Sequence, residues 1–192
     1  MSSYLRISIA LLMGIVLGVG GHALWSGDNV NAQESQFAYT KIRHVGMAFR
    51  DLDKAASMLE QLGFKKVRVN PKDRPNRLYD QSYHGKPDEP LLWQGQWRGE
   101  GDTTIELLSP LGGNSDYSDF LEDYGEGIHH LCFMVPDMDK EIAKYKEAGW
   151  EVLQQGKWPM EEGYGAYAYL KPKDEKGPVF ELVTRVPWRE DQ

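Results

Sequence analysis

The chain contains a single cysteine, Cys132, in 192 residues. No disulfide can form within it, and a domain of this size does not need one. Runs of lysine and arginine are missing too. Acidic residues outnumber basic ones by 29 to 22, giving a net charge of -7 and a pI near 5.3. That balance offers no footprint for nucleic acid. Charge itself is missing near the start, where Arg6 is the only charged residue before Asp28. The uncharged apolar run over residues 7–25 is long enough to span a bilayer, which takes about 20 residues. A basic start, an apolar middle and a small-x-small site at Val30-Asn31-Ala32 also describe a signal peptide. Residues 1–32 are therefore expected to be a cleaved leader or a membrane anchor. The globular part would be exported to the periplasm or secreted, or held at the membrane.

What remains is apolar enough to fold, at 41% hydrophobic residues over the whole chain. Residues 33–39 read as a polar linker and 187–192 as a tail. Residues 40–186 contain an internal repeat. KIRHVGMAFRDLDKAASMLEQLGF aligns without a gap on GIHHLCFMVPDMDKEIAKYKEAGW. His44 then falls on His130, Asp51 on Asp137, Asp53 on Asp139, Lys54 on Lys140 and Gly63 on Gly149.

Each copy opens with period-two alternation, which marks a strand with two distinct faces. Val45, Met47 and Phe49 share one face; His44, Gly46 and Ala48 share the other. An aspartate then caps a helix that stops at a glycine. A second strand follows, KKVRV or EVLQQ, and a hairpin closes the copy. The first hairpin turns at Glu100-Gly101-Asp102 and the second at residues 174–177. The expected fold is α+β: two paired βαβββ modules, residues 40–110 and 126–186, forming a cupped mixed sheet with helices on its outer face. A linker helix capped by Ser115 joins them within 111–125. Residues 70–90 carry four prolines, have no counterpart in the second copy, and read as a long irregular loop.

The repeat places four groups on one surface. His44 and His130 open equivalent first strands. Glu106 and Glu181 lie in equivalent last strands, where Ile105, Leu107, Phe180 and Leu182 must face the helices. The carboxylates then face away from the helices, as the histidines do. A lone buried histidine or a lone glutamate on a strand is ordinarily structural. Two of each, related by a repeat and on the same face, form a ligand set for one divalent ion (Co, Ni, Zn, Mn or Fe) with open positions for substrate. Strand parity sends His129 toward the helix layer and so out of the set. Trp93, Trp97, Trp158, Tyr164, Tyr167 and Tyr169 are candidates to line the cleft, with sheet core as their alternative place.

These segments resemble the vicinal oxygen chelate superfamily, which includes glyoxalase I, extradiol dioxygenases and methylmalonyl-CoA epimerase. The resemblance spans residues 40–186 and is strongest to the epimerase branch. HVGMAFRDLDKA resembles its first strand and helix, IELLSPLGGNSDYSDFLEDYGEGIHHLCFMVPDM its central block, and YLKPKDEKGPVFEL its final hairpin. The resemblance implies a glyoxalase/bleomycin-resistance fold with metal positions at His44, Glu106, His130 and Glu181. It also implies an epimerase or isomerase that removes a proton beside a carbonyl polarised by the metal. Glu181 is the first choice of base. The epimerases take a second base from the third strand of the first module. PLLWQGQWRG has no acid there, so Glu89, just before it, is the candidate. A glyoxalase-type lyase and a non-catalytic, drug-sequestering protein are the alternatives. The expected partner is a small molecule with adjacent oxygens, and a second copy of the chain is a candidate partner.

Overall fold

The computed structural model describes residues 41–72, 78–173 and 179–187. The leader, the linker, the turn at 174–177 and the tail from 188 onward lie outside the described residues. Among the described residues no helix is long and apolar enough to cross a membrane.

Among the described residues ten strands form one mixed sheet. In the first module β1 (Ile42–Ala48) runs parallel to β6 (Thr104–Gly112), which pairs antiparallel with β5 (Leu91–Arg98), and β5 pairs with β2 (Lys65–Val69). The second module repeats this plan. There β7 (Gly127–Met134) runs parallel to β10 (Val179–Val186), followed by β9 (Gly163–Pro172) and β8 (Trp150–Met160). The modules join where β1 and β7 pair antiparallel. This is the paired βαβββ architecture of the sequence reading.

Helix α1 (Leu52–Gln61) starts at Asp51, whose carboxylate accepts the Lys54 amide at 3.0 Å. It buries Leu52, Ala55 and Leu59 against Trp93, Trp97 and Leu107. Helix α3 (Met138–Glu147) is capped in the same way by Asp137 on the Lys140 amide. Gly63 and Gly149 follow the two helices at φ of 91° and 83°, the left-handed conformation that glycine adopts without strain.

The linker helix α2 (Asp116–Asp123) is capped by Ser115, and its Tyr117 and Leu121 pack with Ala48, Leu108, Cys132, Tyr167 and Tyr169. One part of the architecture differs from expectation: residues 70–90 are not irregular throughout. Strands β3 (Tyr79–Tyr83) and β4 (Lys86–Pro87) form a hairpin in them. The hairpin's first strand pairs with β8. A segment that leaves the outer strand of module one thus extends the sheet at the outer strand of module two. The alternation in this segment is too short and too polar to show as a strand; its partner lies far along the chain.

Candidate metal centre

The four residues singled out by the repeat meet. One ligand atom from each of His44, Glu106, His130 and Glu181 lies within 4.8 Å of all the others. The sheet register accounts for this. Gly46 is the cross-strand partner of both Glu106 and His130. Cys132, its counterpart in the second copy, is the partner of both His44 and Glu181. The site is therefore two crossed rows over the seam between the modules.

The contacts are close. His44 Nε2 lies 3.2 Å from His130 Nε2, 3.0 Å from Glu181 Oε2 and 3.3 Å from Glu106 Oε2. His130 Nε2 lies 3.4 Å from Glu181 Oε2. All four side chains are buried, His130 completely. Burial pulls the pKa of His44 down, but Glu106 and then Glu181 override it and raise it to about 10. Burial also lowers His130, and there the carboxylate of Glu181 only partly opposes it. Burial pushes both carboxylates up. His44 nevertheless holds Glu106 below its usual range, and His130 with His44 holds Glu181 well below. The cluster thus carries two carboxylates, one imidazolium and one neutral imidazole.

Glu181 Oε2 is sealed from solvent and accepts no well-aligned hydrogen bond, although both imidazoles are near. The protonated ring of His44 lies 3.0 Å away but out of line, and a buried carboxylate oxygen left without an aligned partner costs free energy that a bound cation would recover. Two imidazole nitrogens and two carboxylate oxygens converging on one point suit a divalent ion of the first transition row, with positions left over. The residues present fit the group.

The outer oxygens are held by neighbours. Gln96 Nε2 donates to Glu106 Oε1 at 3.0 Å. Tyr169 donates its hydroxyl proton to Glu181 Oε1 at 3.0 Å, and Tyr117 on α2 donates to Tyr169. Such supports fix ligand orientation. Above the cluster opens a cavity of about 570 Å³. Leu92, Trp158 and Tyr167 line it, together with three arginines, Arg43, Arg68 and Arg185. Arg68 Nη2 reaches to 4.0 Å from Glu106 Oε1.

His129 stays outside the cluster, but not for the reason of strand parity. The β1–β7 register slips by one residue at Arg43 and again at His129. These are equivalent positions of the repeat, each just before a ligand histidine. A bulge places an extra residue on one strand and re-aims its side chain. His129 turns to Asp116, 2.9 Å away, and to Phe120 of α2. Arg43 turns into the cavity.

Glu89 is not brought to the site. It is exposed, and its amide donates to Asp88 Oδ1 at 2.8 Å in the stretch between β4 and β5. Strand β5 begins only at Leu91, so the cleft-facing positions there fall on Leu92, Gln94 and Gln96. Trp93 and Trp97 point to the other side and pack under α1. The Trp97 indole donates to Glu60 at 3.1 Å. Tyr164 faces Lys157. Trp158, Tyr167 and Tyr169 do line the cleft. The three arginines went unnoticed in the sequence because each sits singly on a different strand.

Comparison with known proteins identifies the family. Residues 43–169 match the family model described as the Glyoxalase/Bleomycin resistance protein/Dioxygenase superfamily. The ethylmalonyl-CoA/methylmalonyl-CoA epimerase of Cereibacter sphaeroides is 32% identical over 143 residues, covering 74% of this chain and 96% of that one. The mitochondrial methylmalonyl-CoA epimerase of Mus musculus is 27% identical, covering 81% of this chain and 83% of its own. Among solved structures, the methylmalonyl-CoA epimerase of Mycobacterium tuberculosis superposes with a TM-score of 0.55 at 23% identity, over 80% of this chain and 93% of that one. A methylmalonyl-CoA epimerase in complex with methylmalonyl-CoA and NH4+ superposes at 0.52 and 24%, over 78% and 96%. The chain belongs to this superfamily and is an epimerase-like enzyme within it.

Proposed function

We propose that this member of the superfamily inverts the carbon next to the thioester carbonyl of a carboxylated acyl-coenzyme A, with a divalent metal held by His44, Glu106, His130 and Glu181. The observation that carries the reading is the four-ligand cluster at the floor of a cavity lined by three arginines. The cluster suits two neighbouring oxygens, and the arginines suit an anionic substrate. The substrates named for the relatives, ethylmalonyl-CoA and methylmalonyl-CoA, have both features.

A bound divalent ion would polarise the carbonyl and acidify the adjacent C–H. Everything else falls to the chain. His130 and His44 hold the carboxyl of Glu181 in its ionised form against burial, which is the form that can accept a proton. Tyr169 restrains one of its oxygens and leaves the other facing the cluster. Inversion needs a second acid on the opposite face, and Glu106, braced by Gln96, is the carboxylate available there. The apolar walls formed by Leu92, Trp158 and Tyr167 exclude water from the reacting carbon.

The test is metal analysis of the purified full-length protein, followed by incubation with methylmalonyl-CoA and ethylmalonyl-CoA in deuterium oxide. Exchange of the C2 hydrogen and loss of optical purity are expected. Metal and ligand binding without exchange would turn the reading toward sequestration. Export through residues 1–32 is a separate proposal and stands against a coenzyme A substrate, a cytosolic metabolite. Fractionation of the host's cells decides between them.

A further inference from the structure

We infer that Asp116 and His129 are positioning residues that hold His130 in the tautomer needed for ligation. The inference rests on reading the cluster as a metal site. His129 is the bulged residue of β7, and it lies buried between α2 and the ring of His130. Its Nε2 is 2.9 Å from Asp116 Oδ2. Both atoms are sealed from solvent; they lie close without being well aligned, and neither has a hydrogen-bond partner among the described residues. Its other nitrogen, Nδ1, is 3.0 Å from His130 Nδ1.

The proton assignment follows from these contacts. The Asp116 carboxylate, 2.9 Å from Nε2, favours the His129 tautomer that carries its proton there. In that tautomer His129 Nδ1 is an acceptor. Two facing ring nitrogens need one donor, and that donor is His130 Nδ1–H. The lone pair of His130 is thereby left on Nε2, the atom that points into the cluster. Ligand histidines commonly give their second N–H directly to a carboxylate or carbonyl. Here an imidazole stands between the ligand and the carboxylate.

The outer end of this chain is rigid. Asp116 is the first residue of α2, after the Ser115 cap. Its amide donates at 3.0 Å to Oε1 of the fully buried Gln154, whose Nε2 donates to Tyr167. The next residue, Tyr117, supports Glu181 through Tyr169. The first turn of the linker helix therefore braces both ligands of the second module. Module one has no equivalent, because its bulged residue is Arg43.

The experiment compares the full-length wild type with His129→Phe, His129→Asn and Asp116→Asn. The phenyl ring fills the space but accepts nothing; the asparagine amide oxygen can accept from His130 Nδ1–H. Titration with Co(II), read by its visible absorption, should show binding about 10- to 100-fold weaker in His129→Phe, with a changed band pattern. His129→Asn should recover most of the loss, and Asp116→Asn should fall between. Thermal melts confirm that each variant is folded. In the chelator-treated wild type, long-range proton–nitrogen NMR should find the His130 proton on Nδ1, and His129→Phe should lose that preference. The inference is overturned if His129→Phe binds Co(II) like the wild type, if Phe and Asn variants that are both folded fail equally, or if the wild-type proton is on Nε2. Wild type that takes up no Co(II) would sink the metal reading, and the NMR result would still decide the role of the dyad.

Discussion

The ring of His130 occupies the space that a side chain on Gly46 would need. A Cβ at position 46 would come within 1.9 Å of His130 Cε1 and 2.1 Å of Nε2. The two residues are direct cross-strand partners across the module seam. Gly46 is thus glycine for room, not for backbone freedom.

Gly46→Ala should accordingly injure the site as well as the fold. His130 is fully buried and hemmed in by Tyr117, Tyr169 and His129, so its ring has little space to retreat. Overpacking of this kind costs about 1–3 kcal/mol of stability. A moved ligand also weakens the metal, by about 10- to 100-fold, the range seen when a ligand's support is lost. Denaturant unfolding and metal content measured on the same preparation check this. An alanine variant with wild-type metal content would show that the ring can move aside.

His44 makes the centre sensitive to pH. Its pKa is raised from 6.5 to about 10 by Glu106 and Glu181, against burial. A raised folded-state pKa contributes stability that is fully present below pH 6.5 and is lost as pH rises through about 10. The chelator-treated protein should therefore lose stability across that interval. A metal ion needs the lone pair that this proton occupies, so metal affinity should move the opposite way. It should rise with pH by up to about tenfold per unit between 6.5 and 10. Titrations at several pH values in a weakly coordinating buffer measure the slope. A flat profile would mean that no proton leaves when metal binds.

Much of this was legible in the sequence because it was stated twice. The ungapped repeat carried Asp51 and Asp137 to their caps, Gly63 and Gly149 to their helix ends, and the four ligand residues to one face. Features that occur once were harder to read. The β3–β4 hairpin has no second copy, and its partner β8 is distant in the chain. The bulges at Arg43 and His129 break the alternation on which parity depends, and a bulge is a property of two paired strands rather than of one. Glu89 is close in sequence to the cleft strand, but that strand starts two residues later, at Leu91. The space above Gly46 depends on how far apart two modules sit, which no single strand encodes.

The division of the tryptophans between core and cleft gives a paired test. Trp97 is 1% exposed beneath α1, so Trp97→Ala should cost about 3–5 kcal/mol of stability. Its effect on substrate binding should be no larger than that loss explains. Trp158 is only partly buried and lines the cavity, so Trp158→Ala should raise KM while lowering the melting temperature less. Unfolding curves and steady-state kinetics on both variants check the pattern, and the reverse order would place the cleft on the wrong face of β5.

The base is tested most directly at Glu181. Replacement by glutamine keeps the shape of the side chain and one oxygen, which can either face the cluster or accept the Tyr169 hydroxyl, with the donating amide nitrogen in the other place. It removes the negative charge and with it the capacity to hold a proton. It also removes one of the two carboxylates that raise His44, so that residue becomes easier to deprotonate, and the loss of metal affinity is partly offset. Metal content in Glu181→Gln should therefore fall less than in His130→Ala, which deletes a ligand from a fully buried position. Turnover should fall far more, by about 100- to 10,000-fold, the usual contribution of a positioned general base. Deuterium exchange at C2 separates the roles further. With two bases each C2 epimer loses its proton to one carboxylate, so the epimers are assayed separately, and the one that faces Glu181 should lose exchange and inversion together in the variant. Exchange that survives in both epimers while inversion stops would mean that Glu181 does not take the proton, because a proton taken and returned on one face leaves the configuration unchanged. That second outcome would move the base to β6 and leave the metal centre itself intact.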